Sequence, residues 1–234
     1  MRPRVICHML ASVDGRIVTD DWPLSAGERQ DYELVHTGYD PDGWLCGRVT
    51  MEPFAGSVRL AAEVTREHPD ARPRDDFRTS GNFDSFAFAV DPSGRLAWES
   101  NDIGSDHVVA ILTERVSDEY LAFLRDRGVS YLLAGAKDID LALALEKIGT
   151  RFGVRTLMLE GGGRINGAML AAGLIDEVSL LVVPVADGRA GRPALFDLEN
   201  GAPTPRRLVL ESVERRTGDV LWLRYRIAEV STAR

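Results

Sequence analysis

Lysine is almost missing from this 234-residue sequence: it occurs only as Lys137 and Lys147, and arginine supplies every other one of the 28 basic residues. Cysteine is equally scarce, with Cys7 in VICHML and Cys46 in WLCG, no C-x-x-C pair and no histidine cluster nearby. This excludes a disulfide framework and a metal centre of the cysteine–histidine kind, and it predicts two buried, reduced thiols. Basic charge is in deficit too. With 36 acidic residues the formal net charge is −8, which argues against a general nucleic-acid or membrane-surface binder, since both need a basic face. An anionic small molecule would need locally placed cations, and the planar arginine fork suits phosphate. No apolar run approaches a membrane span, and the apolar part of MRPRVICHML is too short for a signal peptide, so the cytoplasm is the expected location.

What is present is a hydrophobic content of 44% beside 27% charged residues, enough for a sizeable core and read here as one domain over residues 1–234. Apolar β-rich runs alternate with helical patterns. RVICHML is followed by a helix near Ala26 to His36, GWLCG by a helix opening at Thr50, and a long polar loop runs from Ala61 to Phe83. FAFAV and RLAW around DPSG predict a hairpin. Three βα units come next: HVVAILT with a helix from Ser117 to Arg127, VSYLLAG with a helix from Asp138 to Ile148, and VRTLMLE with a helix opened by glycines. Such units imply parallel strands with right-handed crossovers. EVSLLVVPV and two long alternating runs joined through TGD then predict an antiparallel hairpin at a sheet edge.

The stretch LMLEGGGRINGAML places three glycines where a buried strand turns into an amphipathic helix. Such a turn points unpaired backbone N–H groups and the positive end of the helix dipole outward, which suits an anion. Gly161, Gly163 and Gly167 miss the dinucleotide pattern GxGxxG by one position, and GxxxxGK[ST] does not occur, so a tight turn with close helix packing is the competing account. Glu160 is unusual. It is a carboxylate ending an apolar strand beside an anion-suited loop, and it must be aimed elsewhere than at a phosphate. None of His8, His36, His68 and His107 has a spacing that suggests catalysis, and His8 reads as a core residue.

Three motifs in order, ASVDGRI, CGRVTMEPFAG and LEGGGRINGAMLAAGLIDEVSLLVVPVADGRAGRPALF, resemble the RibD C-terminal reductase family of the dihydrofolate-reductase-like superfamily, over Arg4 to Arg226. The resemblance implies a three-layer α/β/α fold whose central sheet is mixed and mostly parallel, with an antiparallel C-terminal hairpin. It implies a reductase using NADPH on the ribosyl group of a pyrimidine precursor of riboflavin, a small-molecule substrate. A homodimer is expected separately, from the apolar strand surface that LIDEVSLLVVPV and the long C-terminal hairpin offer to a two-fold partner. Absence of H-x-E followed by P-C-x-x-C implies a reductase without the zinc deaminase domain of bifunctional members. By resemblance the cofactor pyrophosphate lies on Gly161, Gly162, Gly163, Arg164, Ile165 and Asn166 and on Gly47, Arg48 and Thr50, with Thr113 near the adenosine 2′-phosphate. Thr50 and Thr113 also read as ordinary caps, and Arg48 as a helix-end cation. Glu160 is expected to touch substrate and, with Asp14, to serve catalysis. Arg16, Ser25 and Arg29 are expected to line the substrate cleft, although Asp14–Gly15 also reads as a plain turn and both arginines as solvated surface charge. The alternatives are a dihydrofolate- or pteridine-type reductase and a dinucleotide-binding module without turnover.

Overall fold

The computed structural model describes residues 1–55, 74–198 and 205–228. In chain order they form β1 (Arg4–Ala11), α1 (Ala26–Gly38), β2 (Gly43–Gly47), α2 (Arg48–Met51), β3 (Phe86–Val90), β4 (Asp102–Ile103), β5 (Asp106–Leu112), α3 (Asp118–Asp126), β6 (Ser130–Leu133), α4 (Leu141–Phe152), β7 (Thr156–Leu159), α5 (Gly163–Ala171), β8 (Glu177–Val182), β9 (Leu208–Arg215) and β10 (Leu221–Ile227). Residues 1–3 and 41–157 make up one unit, and 4–40 with 158–234 make up the other. Most of the polar stretch from Ala61 to Phe83 lies outside the described residues, as does His68.

The first unit follows from its βα repeats. FAFAV is apolar at every position because β3 is buried throughout, with β2 and β5 paired to it in parallel. β6 adds to β5 in parallel, and among the described strands of this unit the two-residue β4 runs antiparallel. The side-chain oxygens of Ser117 and Asp140 cap α3 and α4, satisfying amides that a helix start leaves open. Trp98, Leu121, Leu124 and Tyr131 fill the core between sheet and helices.

Three expectations are corrected in this unit. RLAW is no strand and FAFAV has no hairpin partner: both flanks of β3 are taken by parallel neighbours, and the DPSG turn closes instead on the Asp91 carboxylate, which accepts the Arg95 and Leu96 amides at 2.6 and 2.8 Å. Leu96, Ala97 and Trp98 are buried as irregular backbone. The helix expected from Asp138 begins at Leu141, because Asp140 serves as its cap. The helix expected to open at Thr50 begins at Arg48, with Gly47 as its cap.

In the second unit β1 pairs in parallel with β8, and β10 lies antiparallel between β8 and β9, the hairpin its alternating runs predict. α1 opens on a capping box, Ser25 and Glu28 each accepting from the other's backbone amide. Its apolar side meets Leu181, Val183 and Val220 through Val35. A buried polar seam crosses this sheet. Glu177 is 3% exposed and takes hydrogen bonds from Tyr39, Arg4 and Arg224, so its charge is paired twice. The core reading of His8 holds: its ring is fully buried between the Ser179 hydroxyl and the Tyr32 carbonyl. Cys7 and Cys46 are buried and outside any disulfide among the described residues, in line with the expected buried thiols.

Candidate functional site

The strand-to-helix turn at Glu160–Asn166 has the uncapped start its glycines imply. Gly162 is the N-cap of α5 and contributes no side-chain acceptor, so the first amides of this nine-residue helix have no side-chain cap. Gly161 has φ of +98°, a backbone region that a side chain would strain. The next two glycines serve packing. A Cβ at Gly163 would stand 2.3 Å from the Ala194 carbonyl oxygen, and one at Gly167 would stand 2.3 Å from that of Asp197. Asn166 is fully buried, and its amide donates to the Leu195 carbonyl at 3.1 Å. The turn thus combines two of the readings its sequence allows: Gly163 and Gly167 admit the 194–197 segment, while Gly161 and Gly162 leave a helix start open. Arg164 is exposed beside it. A helix start without a side-chain cap, the dipole and an adjacent cation together fit the phosphates of a dinucleotide.

Glu160 turns to α1. Its Oε1 lies 2.7 Å from His36 Nδ1 and 3.1 Å from the Tyr32 hydroxyl. Tyr32 and His36 are four residues apart and share one side of the helix, and the His36 and Glu160 side chains keep 18% and 15% exposure. Sequence reasoning passed over His36 because its spacing from the other histidines suggests no catalytic pair. The available signal was YELVH, which sets a phenol and an imidazole one helical turn apart.

Asp14 is held firmly. Its carboxylate accepts from the Ser12 hydroxyl at 2.6 Å and from the Asp187 and Gly188 amides at 2.9 Å each, which lowers its pKa to about 2. Arg16 belongs to the same tie: its Nη1 donates to the Arg192 carbonyl at 2.8 Å, its Nε lies 3.9 Å from Asp14, and its backbone bridges Ala194. The two residues therefore brace the 187–194 segment, and Asp187 in turn accepts from Trp22 Nε1 at 2.8 Å and from Arg189. Ser25 is occupied as the cap of α1, and Arg29 is exposed on that helix.

The remaining expected residues lie in the first unit. Gly47 ends β2 and caps α2, Arg48 pairs with Glu52 four residues on, and Thr50 sits inside a single helical turn. Thr113 follows β5, is 1% exposed, and donates its hydroxyl to the Pro92 carbonyl at 2.7 Å. Among the described residues no group of three histidine, cysteine or acidic side chains could hold a metal ion, and no helix is long and apolar enough to cross a membrane.

Comparison with known proteins follows the same lines. A family model described as the RibD C-terminal domain matches residues 3–222. A 2,5-diamino-6-ribosylamino-4(3H)-pyrimidinone 5′-phosphate reductase of Methanothermobacter thermautotrophicus is 30% identical over 201 residues, 85% of this chain and 86% of its own. A reductase of the same name from Archaeoglobus fulgidus is 24% identical over 217 residues, 92% and 94% of the two chains. Among solved structures, a pyrimidine reductase-like protein from Corynebacterium diphtheriae superposes with a TM-score of 0.67 at 18% identity, covering 97% of this chain and 92% of that one. The expected fold, α/β with a mixed and mostly parallel sheet and a C-terminal hairpin, is the one observed.

Proposed function

The chain belongs to the RibD C-terminal domain family, and from that premise we propose that it is an NADPH-dependent reductase of a phosphorylated ribosylaminopyrimidine. The observation that carries this reading is Glu160, a braced carboxylate standing next to an uncapped helix start that suits the phosphates of a dinucleotide. The family relationship supplies the substrate class. The bound nicotinamide would supply a hydride for the sugar carbon attached to nitrogen.

The chain's own residues do the rest. The backbone amides from Gly161 to Ile165 hold phosphate, the Asn166 amide being taken up by the Gly162 carbonyl, and Arg164 adds a cation at their edge. Within the first unit, Gly47, Arg48, Thr50 and Thr113 are proposed cofactor contacts. Glu160 faces the substrate, where its charge favours positive character at a carbon about to accept hydride. Asp14 and Arg16 act by bracing the 187–194 segment, and Ser25 and Arg29 present the start of α1 to the substrate. The same reading takes the whole chain as one catalytic domain working as a homodimer in the cytoplasm.

The test is oxidation of NADPH and of NADH measured against a panel holding ribosylaminopyrimidine phosphates and dihydropteridines. Turnover of the former, with at least tenfold higher kcat/KM for NADPH, is the expected result. Turnover of dihydropteridines alone would make the chain a pteridine-type reductase, and cofactor binding without any turnover would make it a binding module.

A further inference from the structure

The contact between α1 and Glu160 is more specific than a lone acid near a ligand turn would need. Tyr32 has one hydroxyl proton and two acceptors, and the Glu160 carboxylate, at 3.1 Å, is nearer than the His8 carbonyl, at 3.3 Å. The Tyr32 ring is itself fixed by stacking on His8, with ring centroids 4.2 Å apart. His8 is fixed in turn. Its Nε2 must donate to the Tyr32 carbonyl, so its Nδ1 accepts from the Ser179 hydroxyl, which also takes a hydrogen bond from Trp222 Nε1 at 2.9 Å. A chain of contacts from β10 through β8 and β1 thus ends on one oxygen of Glu160. His36 reaches that same oxygen from one turn further along the helix.

We propose that Tyr32 and His36 are positioning residues for Glu160: together they fix its Oε1, and protonation of the imidazole switches the charge that the pair presents to the substrate. The inference rests on the reading that Glu160 faces the substrate. With the imidazole neutral, its Nδ1–H donates to the carboxylate and the pair carries one negative charge. With the imidazole protonated, the pair is neutral and its pull on a developing cation is weakened.

Three titratable neighbours hold one charge state through this switch. Burial keeps His8 neutral down to about pH 4, burial and the Glu160 charge push the Cys7 thiol up, and burial beside Glu177 raises the Tyr39 hydroxyl. Each of these three groups keeps a single charge state between pH 5 and 8.

The experiment combines kinetics with a measurement on the cofactor-free protein. In wild type, kcat/KM for the ribosylaminopyrimidine phosphate rises with pH along an acid limb of imidazole type. His36→Ala lowers kcat at least tenfold while the Kd for NADPH stays within twofold and the Tm holds. His36→Asn, which keeps a donor at the Nδ1 position but cannot titrate, recovers most of that loss at high pH and moves the acid limb away from the imidazole range. Independently, 15N spectra of the histidine rings at high pH place the His36 proton on Nδ1 in wild type, a preference lost in Glu160→Gln. An unmoved limb in His36→Asn, full activity in His36→Ala, or a wild-type ring protonated on Nε2 would overturn the proposal. If wild type turns over no member of the panel, the proposed function falls, and the ring spectra alone decide whether His36 holds Glu160.

Discussion

Asp14 and His8 bracket the behaviour of this protein in acid. Asp14 gains three hydrogen bonds on folding, the Ser12 hydroxyl first among them, and its pKa falls from 3.8 to about 2. A depressed carboxylate stabilises the fold at all pH above its unfolded value and loses that contribution as pH drops from about 4 to 2. His8 and His107 shift for another reason: burial disfavours their charged forms and lowers both from 6.5 to about 4. Folding then requires them neutral, so their contribution is complete above about pH 6.5 and is lost as pH falls toward 4. Urea unfolding between pH 7 and 4 should show stability declining with uptake of up to two protons, and His107→Asn should flatten part of that slope. At the proposed site, Glu160→Gln preserves shape and removes charge. It should lower kcat/KM by about 10²-fold, roughly 2.7 kcal/mol, with NADPH affinity flat or slightly improved. Normal turnover by that variant, or a defect confined to cofactor binding, would remove Glu160 from the substrate side. The carboxylate was legible in LEGGG as a residue that had to be aimed somewhere. Its partners were not, since Tyr32 and His36 stand more than a hundred positions away and meet it only through the packing of α1.

Among the elements, the turn into α5 separates ligand-binding glycines from packing glycines, and the two kinds should fail differently. Gly162→Val should raise the Kd for NADPH at least tenfold, about 1.4 kcal/mol, in a protein that still folds. Gly167→Ala forces a methyl group to within 2.3 Å of the Asp197 carbonyl, so it should lower Tm by several degrees and disturb cofactor affinity less. At the start of α1, Ser25→Ala removes half of a capping box and should cost about 1 kcal/mol in urea unfolding. A loss of substrate affinity beyond that would support Ser25 as a substrate contact as well as a cap. These elements were readable because helix and strand periods and cap residues are local signals. RLAW misled for the opposite reason: its β-like composition serves a buried loop, whose amides are satisfied by the Asp91 carboxylate instead of a neighbouring strand.

For the molecule as a whole, the C-terminal hairpin carries the largest open question of assembly. Leu210, Val213 and Leu221 are 51%, 52% and 41% exposed on it, and among the described residues β9 pairs with β10 alone. The proposed homodimer predicts a solution mass near twice 25.7 kDa by light scattering, shifting toward a single chain in Val213→Arg. A wild-type monomer would refute it. What the sequence determined by itself is what short-range physics can write: alternating βα periods, caps, the glycine turn, buried thiols, and three ordered motifs that carry the family. What only the tertiary structure decided is which side chains meet. Asp14 closes on amides of residues 187 and 188, and Glu160 closes on Tyr32 and His36, because strand order brings distant segments side by side. Hydrogen bonds act over about 3 Å of space, and sequence separation carries no record of that distance.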